Sequence, residues 1–367
     1  MAMYSVFDGH VVSNAEYLSR AAEINNHLNV RISAGAKGLT ALTLSGGREL
    51  SGTAPLAQPN PLSATPIARG KPLSVYILHV YTGKYPERGL FGSRGDMAIV
   101  SGVKSFSAFE ASARALNYLQ PAVKPNSHFL APVAFTQGTP LVLYSPAVTD
   151  SSITVTLEMA TANDFVHNLL DQIGNGFQTL AGIPLLLPYA GYLMGAGSLL
   201  KLGEGVADAL YQASPAVSHT EVINFGLAFT ELAQAETRIV CNSSFDPTSY
   251  TYKDRIGLVN QSNQPYDGGE PYVVIALDGT QHDEWKGFTP SVASAAILQK
   301  FFSAKSGSQT AIDAFVGAVG VASDLKYRNQ ALAIKQQLAG NPANASELQE
   351  QYNAIIKNIV DPALVPK

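Results

Sequence analysis

Between Asp171 and Lys201 the chain carries no charged side chain, a stretch that includes LAGIPLLLPYAGYLMGAGSLL. Its length alone would cross a bilayer, which takes about 20 apolar residues in one helix. Pro184 and Pro188 interrupt such a helix, and six glycines weaken it further. Phe165, Leu169, Ile173 and Phe177 recur at helical spacing ahead of the prolines, and residues 189–202 suit a second helix. The pattern therefore predicts an apolar helical hairpin rather than one straight span. A buried hairpin, an assembly surface and a membrane-inserting element would all share this composition.

The flanking sequence reads as strands. Residues 73–81 (LSVYILHVY) and 96–104 (DMAIVSGVK) are apolar and β-branched, with a Gly-rich loop between them. Residues 141–144 form a short third candidate. Ile153, Val155, Leu157 and Met159 alternate with Thr154, Thr156 and Glu158, as in a strand with one buried face. Beyond the apolar stretch, Ile223, Phe225, Leu227 and Phe229 alternate in the same way, and 238–242, 252–259 and 272–278 complete a set of about eight. Short strands without regular helical crossovers favour an antiparallel β-sandwich over a parallel sheet.

Helices are expected at both ends. Ser13 and Glu16 have capping-box spacing ahead of Tyr17, Ala21, Ile24 and Leu28, which predicts a helix near 14–28. Five prolines in residues 52–74 then make a linker or long loop. From residue 289 the pattern is helical: 292–302, then 311–338 with a break near Gly317 and Gly320. Asn344 and Glu347 form a second capping box, opening a last helix. The expected organisation is an N-terminal helix and Pro-rich extension (1–72), a sandwich (73–161 with 216–287), the apolar insertion (162–215) and C-terminal helices (288–367). The fold class is α+β.

Charged residues make up 14% of the chain, against about 25% in an average globular protein, and the net charge is −4. That balance argues against a nucleic-acid partner. Cys241 stands alone, which excludes an intrachain disulfide and a cysteine zinc cluster, and reads as a buried structural thiol. The first residues carry no basic and apolar leader, so cytoplasmic placement is the default expectation, with non-classical export left open. No GxSxG, HExxH, Walker A or strand-to-helix GxGxxG motif occurs. His79, within an apolar strand, is expected to be a satisfied core histidine. The run from Asp278 to Glu284, with His282 inside it, could hold a hard cation or support acid–base chemistry, or be a polar turn. Asp267 to Glu270 reads as a hairpin loop and Arg94-Gly95-Asp96 as a turn.

LSVYILHV, the loop GLFGSRGD and the strand from Asp96 to Val100 resemble the first strand, loop and Asp-x-x-x-Val strand of C2 domains. GTPLVLYSPAVTDSSITVTLEM is similar to their middle strands. The resemblance spans roughly residues 73–161 and, by strand count, 221–280. It implies an eight-stranded sandwich, phospholipid contact, and in some members calcium held by about five loop aspartates. Asp96 matches the family's loop position, and Asp164 is the nearest candidate on the opposite crossing. With Asp278 these are the metal-ligand candidates, too few for a full calcium cage.

The function these features favour is non-enzymatic: a binding, lipid-binding or structural protein that forms oligomers or meets a protein partner or membrane surface. Phe177, Leu185, Leu186, Tyr189 and Leu193 are the expected contact residues, and no cofactor is required, calcium being the one candidate. Two alternatives remain: a cation-dependent hydrolase using the 278–284 loop, and a membrane-perforating effector.

Overall fold

The structure, a computed structural model, describes residues 2–7, 9–13, 67–85, 95–105, 113–130, 139–162, 215–225, 236–286 and 308–367, with shorter pieces between 15 and 50. Every ladder between strands among these residues is antiparallel, and one isolated parallel bridge joins Arg69 and Val148. The fold is mostly antiparallel β-sheet with few helices, an α+β chain.

The chain opens with β1 (Ala2–Phe7) and β2 (His10–Ser13). These strands are not part of an extension. β1 lies between β2 and β12 (Glu236–Cys241), deep in the larger sheet. Alternation explains the placement, because Met3 and Phe7 face one side of the pleat and Tyr4 and Val6 the other. The expected N-terminal helix does begin after β2: Ser13 Oγ accepts from Glu16 N at 3.2 Å, and residues 15–17 and 19–20 are helical. A two-stranded ladder of β3 (Leu42–Thr43) and β4 (Glu49–Leu50) stands apart.

The larger sheet has nine strands. Next to β12 comes β15 (Tyr272–Asp278), then β5 (Leu73–Tyr81), which pairs with β8 (His128–Leu130) and β9 (Leu141–Ser145). Its far edge is the hairpin of β13 (Thr251–Lys253) and β14 (Gly257–Val259), read from sequence as one strand. The smaller sheet runs β11 (Pro215–Asn224), β10 (Ser152–Ala162), β6 (Gly95–Ser105) and β7 (Ala113–Val123). β11 ends near where the sequence predicted its strand to begin.

One core joins the two sheets. Leu73, Val75, Ile77, Val240, Val273 and Ile275 of the larger sheet meet Met97, Ile99, Val155, Leu157, Val217 and Ile223 of the smaller. The opposite face of the larger sheet carries a second, aromatic core built on Tyr81, Tyr266, Tyr272 and Phe245. Cys241 lies fully buried there, its thiol pushed up to about 12 by burial and by Asp246 and Glu270. It is the structural thiol that the sequence suggested.

The strands define two ends. Ala162, Pro215, Asp96 and Val123 stand at one, continuous through residues 124–127 with Tyr81 and His128. Ser152 and Asn224 stand at the other, with Ser145, Leu73 and Asp278. At this second end dock α1 (Ser308–Ala339), unbroken at Gly317 and Gly320, and α2 (Ala345–Lys357). Asn358 Nδ2 donates to Ala147 O at 3.0 Å, and Ser145 Oγ donates to Asn358 Oδ1 at 3.0 Å. Asp324 accepts from the backbone N–H groups of Val360 and Asp361 at 2.9 and 2.8 Å, tying the tail to α1. Asn344 stands at the N-cap of α2 but makes no side-chain capping bond, so the second capping box does not form.

A candidate ligand cleft between the sheets

Side chains of one parity along β11 point into the shared core: Val217, Ile223 and Phe225 are 1–3% exposed. His219 and Glu221 have the same parity. On β12 the core side is set by Val240, and Glu236 and Arg238 share its parity. Charges thus occupy positions where alternation calls for apolar residues. Arg238 donates from Nη1 to Glu221 Oε1 and from Nε and Nη2 to Glu236 Oε1. Arg238 Nη1 also lies 3.9 Å from Met3 Sδ.

A cleft of about 520 Å³ opens beside this cluster, lined by Ala2, Met3, Tyr4, Ser13, Ala15 and residues 219–222. Burial raises the Glu221 pKa, against the pull of Arg238. Burial, with help from the N-terminal ammonium and then Arg238, lowers that of His219, whose Nε2 lies 4.0 Å from Glu221 Oε2 and has no hydrogen-bond partner among the described residues. An open cleft with shifted titratable groups is the usual character of a ligand site. The sequence reading missed these residues. Their signal was present as ionisable side chains in phase with the core residues of two strands.

A second imidazole system sits at the end where β10 and β11 turn away. His128 Nε2 contacts Tyr266 O at 3.2 Å, and a carbonyl can only accept, so that nitrogen carries the proton. His128 Nδ1 then accepts from His79 Nε2 at 3.0 Å, leaving His79 Nδ1 bare, buried and unpartnered among the described residues. His79 is therefore a core histidine only half satisfied. Burial first, then His128, lowers its pKa to about 4. Gly257 (φ +94°) makes the close approach feasible, since a Cβ there would lie 2.9 Å from His79 Nε2 and 2.5 Å from Tyr272 Oη.

The residues singled out from sequence fall into three groups. Phe177, Leu185, Leu186, Tyr189, Leu193 and Asp164 lie outside the described residues. Asp96, next to Gly95 at the start of β6 rather than in a turn, pairs with Ala162. Asp278 ends β15 opposite Ser74. The two aspartates sit in different sheets, at opposite ends of the body. The eleven residues of β10 separate those ends by roughly 30 Å at ~3.3 Å per residue. The structure does not bring them together, and among the described residues no group of three His, Cys, Asp or Glu is placed to hold a metal ion.

Asp278 and His282 do meet, Oδ2 to Nε2 at 3.5 Å. Asp278 Oδ1 accepts from Thr280 N and Oγ1 at 3.0 and 2.8 Å, while His282 stacks on Trp285 at 3.8 Å and donates its backbone N–H to Tyr144 Oη. Asp278 is 4% exposed. The group closes the exit of β15 as a polar turn packed on aromatics.

Comparison with protein-family models, with curated proteins and with solved structures finds no match for this chain. Its function must be read from its own residues and geometry.

Proposed function

We propose that this chain is a non-enzymatic binding and assembly protein, a C2-like β-sandwich that presents an apolar segment to a protein partner or membrane surface. The carrying observation is the register of β10 and β11. Ala160 pairs with Pro215, so residues 163–214 leave and re-enter the sheet at neighbouring positions on two paired strands. An insert with adjacent ends can diverge without disturbing the sheet, and this one contains the uncharged stretch between Asp171 and Lys201. The shared core between the two sheets supports the sandwich reading.

In this reading Phe177, Leu185, Leu186, Tyr189 and Leu193 make the contact. The double variant Leu185→Asp with Leu186→Asp should keep its strand circular dichroism and unfolding transition. It should lose self-association in light scattering and flotation with anionic and neutral liposomes, with calcium or chelator. Dye release from the liposomes by the unaltered chain would assign the contact to membrane perforation. A double variant that fails to fold would make the segment core and end the reading. The hydrolytic alternative draws less support, because the Asp278 carboxylate is buried and engaged by Thr280 and His282. No helix among the described residues is long and apolar enough to cross a membrane.

A further inference from the structure

We propose that the cleft beside β11 binds a primary ammonium group on a short aliphatic chain, with Glu221 as its counter-ion. The buried cluster sets two carboxylates, Glu221 and Glu236, against one guanidinium, Arg238. With all three ionised, one negative charge is left over on the wall of the cleft, on side chains that are mostly buried. Such a charge is costly until a counter-charge meets it. Glu236 lies deepest, 5% exposed. Glu221 is the member the cleft reaches: it lines the cavity, and only its Oε1 is bonded to Arg238.

The remaining oxygen selects the ligand head. A guanidinium binds best to both oxygens of a carboxylate, whereas an ammonium is a compact donor that one oxygen satisfies. His219 walls the site beside Glu221 Oε2, and its own imidazole brings no competing charge, being held neutral by burial, by the N-terminal ammonium and by Arg238. Ala2, Met3 and Val222 supply apolar lining for an aliphatic stem, and Ser13 supplies a polar rim. The ammonium could arrive as a free alkylamine or as a lysine side chain. β11 is an edge strand of its sheet, where an extended segment could bring a lysine alongside.

Calorimetry on the full chain tests this, with n-butylammonium and a blocked lysine peptide as probes and n-butanol as the neutral control. The ammonium probes should bind saturably and butanol should not. Glu221→Gln should weaken them about tenfold to a hundredfold, the worth of one charge-assisted hydrogen bond. That variant should unfold no more easily than the unaltered chain, since Arg238 and Glu236 then balance. Val222→Lys, at a position 51% exposed on the cleft wall, should weaken binding by repulsion and keeps the test open if Glu221→Gln misfolds. Tighter binding of the peptide assigns the ammonium to a protein strand; tighter binding of butylammonium assigns it to a free amine. Equal affinity in the unaltered chain and both variants, or no saturable binding of either probe, overturns the proposal. The described lining of this site comes from residues 2–15 and 219–222, and its test variants lie at Glu221 and Val222 rather than at Leu185 and Leu186, so its failure and that of the assembly reading are separable.

Discussion

Replacing Arg238 with methionine is expected to lower the unfolding free energy by about 3–5 kcal/mol, the usual cost of stranding a buried charge by removing its partner. The methionine retains most of the aliphatic bulk, so lost packing is the smaller part. What remains is Glu221 and Glu236 facing each other inside the core, without the guanidinium that bonds both. Acid should relieve the loss. Burial raises Glu221 above its unfolded value, and removing Arg238 takes away the attraction that opposes the rise. A carboxyl with a raised folded pKa penalises the fold at neutral pH, and the penalty vanishes as pH falls below the unfolded pKa. Urea titrations of both proteins at pH 7 and near pH 4 should therefore show the gap shrinking. A gap under about 1 kcal/mol at pH 7, or one that acid leaves unchanged, would mean that the cluster is well hydrated.

The second large effect concerns His79. Its folded pKa of about 4 lies below the ordinary value of 6.5, so between those values the unfolded chain binds the proton and the folded one does not. Stability then rises with pH across that window, by about 3 kcal/mol in total, and is lost as pH falls from 6.5 towards 4. His128 and His219, also lowered by burial, add slope of the same sign. His79→Gln should cut the slope in a series of denaturant titrations from pH 4 to 7. An unchanged slope would place the acid sensitivity elsewhere.

The strands legible in the sequence were those whose alternation or apolar runs are uninterrupted. β5 and β15 match their predicted limits, and β9, β10 and β12 fall within a few residues. Two strands were missed or misplaced because polar residues stand in phase with the core. β11 runs SHTE through its centre, so the search for alternation settled on the purer run that follows. β7 carries Asn117 inward, where its Nδ2 donates to Leu141 O at 3.0 Å, and Pro121 near its end. β1 is six residues at the start of the chain, and its central position depends on a partner more than 230 residues away. Local pattern cannot register a pairing of that range. The cleft escaped for the same reason: Glu221 and Arg238 are ordinary surface residues until β11 and β12 are known to face one core.

The 278–284 region illustrates the opposite case. Sequence placed acids and an imidazole together at a strand exit, and Asp278 and His282 do meet there. Their chemistry is decided by Thr280, Tyr144 and Trp285, which fill the remaining bonding and stacking positions. Proximity in sequence found the pair, and only packing revealed that it closes a turn.

The most direct measurement is to replace residues 163–214 with a short glycine-rich linker between Ala162 and Pro215, and to compare folding and association with those of the full chain. Because β10 and β11 pair up to those residues, the shortened protein should unfold cooperatively at an unchanged denaturant midpoint. It should be monomeric in light scattering and should no longer float with liposomes. A shortened protein that cannot fold, or one that associates as the full chain does, would contradict the claim that this insert is the contact element of a self-sufficient β body.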